Sequence, residues 1–367
     1  MRILAITNLY PSADSPGTGV FIEQQIQSLL SRGLQVQLLF LDRRKEGPWI
    51  YYRLGPRLRK AIAEFAPDVV HVMYGGVMAQ QVTSQRNLPP VVVTFHGSDL
   101  LGENYSGLRR KLISRYGVLC SRKAARQAQG VIVVARHLLS ALGDGLDLNK
   151  VRIIPCGIDL ERFKPMDRSS CRDQLGWPSD CFHVLFATSA GDPVKRPELA
   201  RAAVAKLEEE GRRVQFHVLS GIPNTQVPIW LHASDALLLT SRHEGSPTIV
   251  KEALACGLPI VSVKVGDVPE RIEGIEGCYL AEADAADLAR KLELICECLP
   301  RLECKKKLHD LSSDAVAIRL EQFYQEVLRV RAESQPSSRR SAAFMPLHAP
   351  NARKCPGYQV RLSRYGH

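Results

Sequence analysis

The sequence lacks most of the features that would settle its chemistry early. No two of its ten cysteines form a Cys-x-x-Cys pair. The nearest group, Cys296, Cys298 and Cys304, lies in a helical pattern without a histidine at zinc-finger spacing. That weighs against a structural zinc site and for the reduced thiols of a cytosolic protein. No apolar run reaches the roughly 18–20 residues that a membrane span requires. The apolar start, Ile3 to Ile6, gives way at once to Asn8 and Pro11. It is too short for a signal h-region and reads as a buried first strand. There is no Asp-x-Asp pair to hold a divalent cation against a diphosphate, no Walker loop and no Ser-His-Asp order.

Negative charge is also scarce. Against 38 Asp and Glu stand 49 Lys and Arg, a formal net charge of +11. The excess gathers at Arg43-Arg44-Lys45, Arg109-Arg110-Lys111 and Arg122-Lys123, and in the tail from Arg329 onward. Such charge suits nucleic acid, an anionic membrane surface or a phosphorylated substrate. No nucleic-acid motif accompanies it, so nucleic acid is not expected.

What is present is an alternation. Of the 367 residues 45% are hydrophobic, enough for two domains with their own cores. Short apolar runs at 2–7, 36–40, 68–73, 91–95, 131–134 and 151–155 read as strands. A second series follows at 183–187, 214–219, 235–240, 259–263 and 278–280. Amphipathic patterns fill the gaps, notably 20–32, 107–128, 196–210 and 285–298. Continuous apolar strands separated by helices imply parallel sheets covered on both faces, an α/β class. The segment 156–165 has Gly and Pro punctuation without helical period, which places the linker there. The expected division is an N-terminal domain over 1–160, a C-terminal domain over 161–310, a last helix within 311–330 and a disordered basic tail over 331–367. That last helix carries Val316, Leu320, Phe323, Tyr324 and Val327 on one face.

The most informative stretch runs His243-Glu244-Gly245-Ser246-Pro247-Thr248-Ile249-Val250-Lys251-Glu252-Ala253-Leu254-Ala255-Cys256-Gly257-Leu258-Pro259. Ser246 suits an N-cap, Pro247 the first helical position and Gly257 a left-handed C-terminal cap. A short helix beginning just after a buried strand is a natural anion site at the carboxyl edge of a parallel sheet. Glu252 then lies roughly 7–8 Å along the helix from its start. A carboxylate there can accept two hydrogen bonds from a ribose diol, although a solvated helix glutamate fits the pattern equally well.

Glu244 and Glu252, with seven residues between them, resemble the paired-glutamate motif of family 4 glycosyltransferases. So do Gly257-Leu258-Pro259-Ile260-Val261, Val265-Gly266-Asp267-Val268-Pro269-Glu270, and the linker from Val151 to Pro165. The resemblance spans about residues 1 to 330. It implies the GT-B fold, two Rossmann-like domains with parallel sheets facing a cleft. It also implies a retaining, metal-independent sugar transfer with no cofactor, a nucleoside-diphosphate sugar being the donor substrate. Glu252 would hold the donor ribose, Glu244 would contact the transferred sugar, and Gly245, Ser246, Pro247 and Thr248 would line the same pocket.

Lys195, in Ser189-Ala190-Gly191-Asp192-Pro193-Val194-Lys195-Arg196, stands between a strand and a helix, where a cation can neutralise a diphosphate leaving group. The family usually has an arginine five positions before this lysine; here Ala190 stands instead, and Arg196 is the candidate replacement. In the N-terminal half, Val93-Thr94-Phe95-His96-Gly97-Ser98-Asp99 resembles the family's His-Gly-x-Asp segment, whose histidine lies beside the donor sugar. A structural histidine is as good a reading of the position itself. Gly97 leaves room for a ligand and Asp99 either orients His96 or caps a turn. Ser15-Pro16-Gly17-Thr18-Gly19-Val20 is not a dinucleotide fingerprint, because Ile22 takes the third glycine position. It resembles the family's glycine-containing first loop, with Gly19 at the helix start the closer backbone donor.

The His96 segment and the Lys195 and Gly266 loops most resemble bacterial transferases of surface-polysaccharide assembly. That implies a cytoplasmic enzyme, a saccharide or lipid-linked acceptor, and peripheral contact with the anionic inner membrane face through the basic clusters. Two rivals share the fold: a nucleotide-sugar epimerase, and a catalytically decayed nucleotide-sugar-binding protein.

Overall fold

A computed structural model of the chain describes residues 1–15, 17–103, 107–188, 192–299, 301–302, 304 and 308–334. Among these residues eleven strands form two wholly parallel sheets. The first has the spatial order β2-β1-β3-β4-β5-β6, from Arg2–Thr7 (β1), Gln35–Phe40 (β2), Val69–Val72 (β3), Val91–Phe95 (β4), Gly130–Val133 (β5) and Val151–Ile153 (β6). The second has the order β11-β10-β9-β7-β8, from Phe182–Ala187 (β7), Val214–Leu219 (β8), Ala236–Leu239 (β9), Ile260–Val263 (β10) and Cys278–Ala281 (β11). The central strands are buried along their whole length, which is why they read as unbroken apolar runs. In each sheet the first strand lies between the second and the third, so a topological switch point falls at β1/β3 and again at β7/β9. Ligands of open α/β sheets bind outside the strand carboxyl ends at such points.

The C-terminal helix Ser313–Glu333 runs past the expected end of the last helix and takes up three residues assigned to the tail. Of the rest of the expected tail, Ser334 caps the helix and residues 335–367 lie outside the described residues. Ser312 caps this helix by accepting from the Ala315 N–H, and Ile158 of the linker bridges to Ser312 beside it. Its face of Val316, Leu320, Phe323, Tyr324 and Val327 packs on Ile3, Val69, Val92 and Ile132 of the first sheet. The helix therefore seals the face of the N-terminal domain although it follows the C-terminal one.

A buried polar chain fixes its register. The Tyr324 hydroxyl hydrogen-bonds His71 Nδ1 at 2.7 Å, and His71 Nε2 meets Thr94 Oγ1 at 2.7 Å. Burial pushes the His71 imidazole down to about 3, so it is neutral, with one ring nitrogen donating and the other accepting. Tyr324→Phe should leave a buried ring nitrogen unpaired and cost about 1–3 kcal/mol, read as a lower urea midpoint at constant slope. An unchanged midpoint would show that the chain carries no net stability.

Candidate functional site

The site assembles at the carboxyl ends of β7 and β9. The loop after β7 ends in a 3-10 turn, Pro193–Lys195, whose cap Asp192 accepts from the Val194 N–H. The loop after β9 carries Glu244. Across the switch point Lys195 Nζ donates to Glu244 Oε1 at 2.5 Å, with both side chains largely shielded. The two loops are laced below this pair. Thr240 Oγ1 donates to the Lys195 carbonyl at 2.6 Å, and the Arg242 N–H donates to the Val194 carbonyl at 2.8 Å.

Arg196 belongs to the lacing. Its backbone is held at φ +51°, and its guanidinium donates to the carbonyls of Thr240 and Ser241. Burial lowers its pKa. Arg196 is thus committed to tying the loops, and Lys195 is the cation that faces the Glu244 carboxylate. Ala190, where the family's arginine is absent, lies outside the described residues.

The N-terminal domain meets this loop backbone to backbone. A Cβ on Gly245 would stand 1.8 Å from the His96 carbonyl oxygen, and one on Gly97 would stand 2.9 Å from the Gly245 nitrogen. Gly97 has φ +132°, so both space and backbone conformation demand glycine there. His137 Nε2 adds a hydrogen bond to the Glu244 carbonyl at 3.1 Å. Gly19, in the left-handed region at the start of helix Val20–Ser31, packs so close to the Leu9 backbone that a Cβ would stand 2.5 Å from its carbonyl carbon. Gly17 has open space instead.

His96 sits between Phe21 and Tyr74, with ring centroids 4.7 Å and 5.8 Å away. Its Nε2 donates to the Met73 carbonyl at 3.1 Å, which fixes the tautomer and leaves Nδ1 as an acceptor facing the Cys156 thiol at 3.6 Å. Burial lowers its pKa to about 4, so the ring is neutral at physiological pH. Asp99 does not orient this ring. Its carboxylate accepts the backbone N–H groups of Gly75, His96 and Gly97, which shapes the turn. Burial raises the Asp99 pKa, and those three donors oppose it.

Helix Thr248–Ala255 starts one residue later than expected, with Pro247 rather than Ser246 at the N-cap and no side-chain cap. The Ser246 hydroxyl is engaged elsewhere: it donates to Asp267 Oδ2 at 2.7 Å and accepts from Lys251 Nζ at 3.1 Å. Lys251 is wholly buried and also donates to the Cys156 carbonyl of the linker at 2.7 Å. Arg271 pairs with Asp267 at 2.8 Å and closes the network. Sequence reasoning alone does not single out Lys251, Cys156 or Asp267 as functional positions. The only sequence trace of Lys251 is that it falls beside Val250 and Leu254 on the apolar stripe of the helix. The C-terminus has the expected geometry. Gly257 has φ +68°, its N–H bonds to Leu254, and the Leu258 N–H bonds to Ala253.

Glu252 is partly buried, not solvated, and burial pushes its carboxyl up to about 7 against the attraction of Lys251 and Arg162. Among the described residues no group of three or more His, Cys, Asp or Glu could hold a metal ion. No helix among them is long and apolar enough to cross a membrane.

Comparison with known proteins matches a family model to each domain. A family model described as Glycosyltransferase Family 4 matches residues 16–162, and one described as Glycosyl transferases group 1 matches residues 183–297. A protein named as a teichuronic acid biosynthesis glycosyltransferase, TuaC of Bacillus subtilis (strain 168), is 29% identical over 73% of this chain and 82% of its own. The D-inositol 3-phosphate glycosyltransferase of Actinosynnema mirum is 30% identical over 41% of this chain and 44% of its own. Sucrose-phosphate synthase from Thermosynechococcus elongatus shares the fold with a TM-score of 0.75, at 18% identity over 90% of this chain and 100% of that structure. Anabaena HepE in complex with UDP-glucose gives 0.58, at 19% identity over 91% and 99%. With a Glycosyltransferase Family 4 model on the N-terminal domain, a Glycosyl transferases group 1 model on the C-terminal one, and a two-sheet architecture shared with solved glycosyltransferases, the chain is a glycosyltransferase of GT-B fold.

Proposed function

We infer that the chain transfers a glycosyl group, with retained anomeric configuration, from a nucleoside-diphosphate sugar to a hydroxyl of a saccharide or lipid-linked acceptor. The observation that carries the donor assignment is the Lys195–Glu244 pair spanning the β7/β9 switch point. The diphosphate competes with Glu244 for the Lys195 ammonium, and the freed Glu244 carboxylate accepts hydrogen bonds from the sugar. Glu252 takes the ribose diol. His96, neutral and with Nδ1 free to accept, receives a sugar hydroxyl in place of the weak thiol donor. The protein's work is positioning and charge stabilisation, and no side chain is assigned as a nucleophile. Anabaena HepE, which shares the fold, is solved in complex with UDP-glucose, a donor of this class. No observation favours the epimerase.

The direct test is thermal stabilisation by UDP, ADP and GDP, followed by product analysis with the matching sugar nucleotides. A nucleotide at 100 times its Kd adds about 2.7 kcal/mol. If none of the three stabilises the protein, the donor site is misassigned. With Lys195 neutralising the diphosphate, activity should be the same in EDTA as in magnesium. Full loss on chelation, restored by magnesium or manganese, would overturn the metal-free reading.

A further inference from the structure

We propose that Lys251 is a positioning residue of the donor site, a buried ammonium fixed where it balances the charge of the Glu252 carboxylate. Lys251 is fully buried in helix Thr248–Ala255, one position before Glu252. Its Nζ donates to the Cys156 carbonyl at 2.7 Å and to the Ser246 hydroxyl at 3.1 Å. Both acceptors are neutral. Asp267 stands next in the chain of bonds, but its Oδ2 already takes the Ser246 hydroxyl at 2.7 Å and the Arg271 guanidinium at 2.8 Å. A buried ammonium without a counter-ion of its own is costly, and an apolar side chain would fill the space without that cost. The charge that answers Lys251 is the carboxylate beside it.

The place of the ammonium fits this role. Cys156 belongs to the linker, and its thiol faces His96 Nδ1 of the N-terminal domain at 3.6 Å. Ser246 adjoins Gly245, which packs on the His96 carbonyl. Lys251 thus sits where linker, donor loop and donor helix meet, within electrostatic reach of both His96 and Glu252. Burial lowers the His96 pKa and Lys251 adds to that, whereas burial raises the Glu252 pKa and Lys251 opposes it. One cation therefore favours a neutral imidazole and an ionised carboxylate. Arg162 of the linker also acts on Glu252, but it is exposed and screened by solvent. Burial keeps the nearby Cys256 thiol un-ionised. Burial pulls the pKa of Lys251 itself down, while Cys156, Asp267 and Glu252 hold it up against Arg271. That the carboxylate is ionised for a nucleotide ribose rests on the donor reading above.

The experiment compares Lys251→Met with the parent in affinity for UDP, ADP and GDP between pH 6 and pH 9. Without the ammonium, Glu252 should hold its proton on the order of tenfold more tightly. Affinity should then fall about fivefold at pH 7, where the parent's carboxyl is half ionised, and about twofold or less at pH 9. A deficit equal at every pH, or no deficit, overturns the proposal, because lost packing does not titrate. Lys251→Arg keeps the charge and should keep the parent's pH dependence; a deficit that shrinks with pH in this variant too also overturns it. If Lys251→Met does not fold, Lys251→Gln, which retains a donor for the Cys156 carbonyl, is read in the same way. The unliganded protein gives a second readout. The raised Glu252 pKa costs the parent stability as pH climbs from 4.5 to about 7, and in the variant that decline in Tm should run on above pH 7. If no nucleotide binds either protein while the decline runs on, the donor reading fails and the counter-charge stands. A decline that ends at the same pH in both proteins overturns the counter-charge.

Discussion

Replacing Lys195 with alanine should lower kcat on the order of a hundredfold, about 2.7 kcal/mol, and weaken donor binding as well. The leaving diphosphate gains negative charge as the glycosidic bond breaks, so a fixed ammonium stabilises the transition state more than the ground state. The substitution also strands the Glu244 carboxylate, which is only 14% exposed and loses its counter-charge. Lys195→Ala/Glu244→Gln separates the two effects by different readouts: removing the stranded charge should restore the Tm lost in Lys195→Ala, while kcat stays low because the ammonium is still missing. If Tm is not restored, the stranded carboxylate is not what destabilises Lys195→Ala. Arg196→Ala should behave differently, because its guanidinium ties the loop to the Thr240 and Ser241 carbonyls. It should lower thermal stability first and activity second. A severe kcat loss in Arg196→Ala with a mild one in Lys195→Ala would reverse their roles. If both leave kcat/KM within about threefold, less than 1 kcal/mol, the diphosphate does not sit here.

How much of this was legible in the sequence depends on whether a residue's partner is local. The strands were legible because two-sided burial leaves an unbroken apolar run, and Gly257 because a helix stop needs a positive φ. The C-terminal helix was legible because its apolar face is the face it buries. Helix Leu108–Gln127 shows the opposite case. Its most apolar stripe faces out and its alanines face in, and periodicity cannot tell the two sides apart. Ser246 had the right residue type for a cap, but Asp267 and Lys251, 21 and five positions away, claim its hydroxyl. For Asp99 the sequence left two roles open, and it takes the turn-capping one with the His96 and Gly97 N–H groups, while its third partner, the Gly75 N–H, lies 24 positions away. Non-local partners of this kind leave no spacing signature.

Glu252→Gln should make the unliganded protein more stable at pH 8 and a worse nucleotide binder at the same pH. The sign follows from where the carboxyl titrates. Its pKa is raised from 4.5 to about 7 in the folded chain, so between those values the folded state holds a proton that the unfolded state has lost. Stability therefore falls as pH rises through that window. The penalty is absent below it and complete above it, on the order of 3 kcal/mol. Glutamine removes the ionisation, so the variant's Tm should exceed the parent's at pH 8 and the gap should close near pH 5. Binding moves the other way. The ionised carboxylate accepts two ribose hydroxyls in charge-assisted bonds of about 1.5–3 kcal/mol each, so the variant should bind nucleotide roughly tenfold or more weakly at pH 8. Parent affinity should fall as pH drops below 7, since protonation removes the acceptor, while the variant's stays flat. A Tm gain with an unchanged Kd would mean that Glu252 is a buried carboxyl without a ligand. No Tm gain would mean that burial does not hold its proton. Only the paired result, stability recovered and affinity lost, marks a carboxylate kept at a cost because the nucleotide needs it.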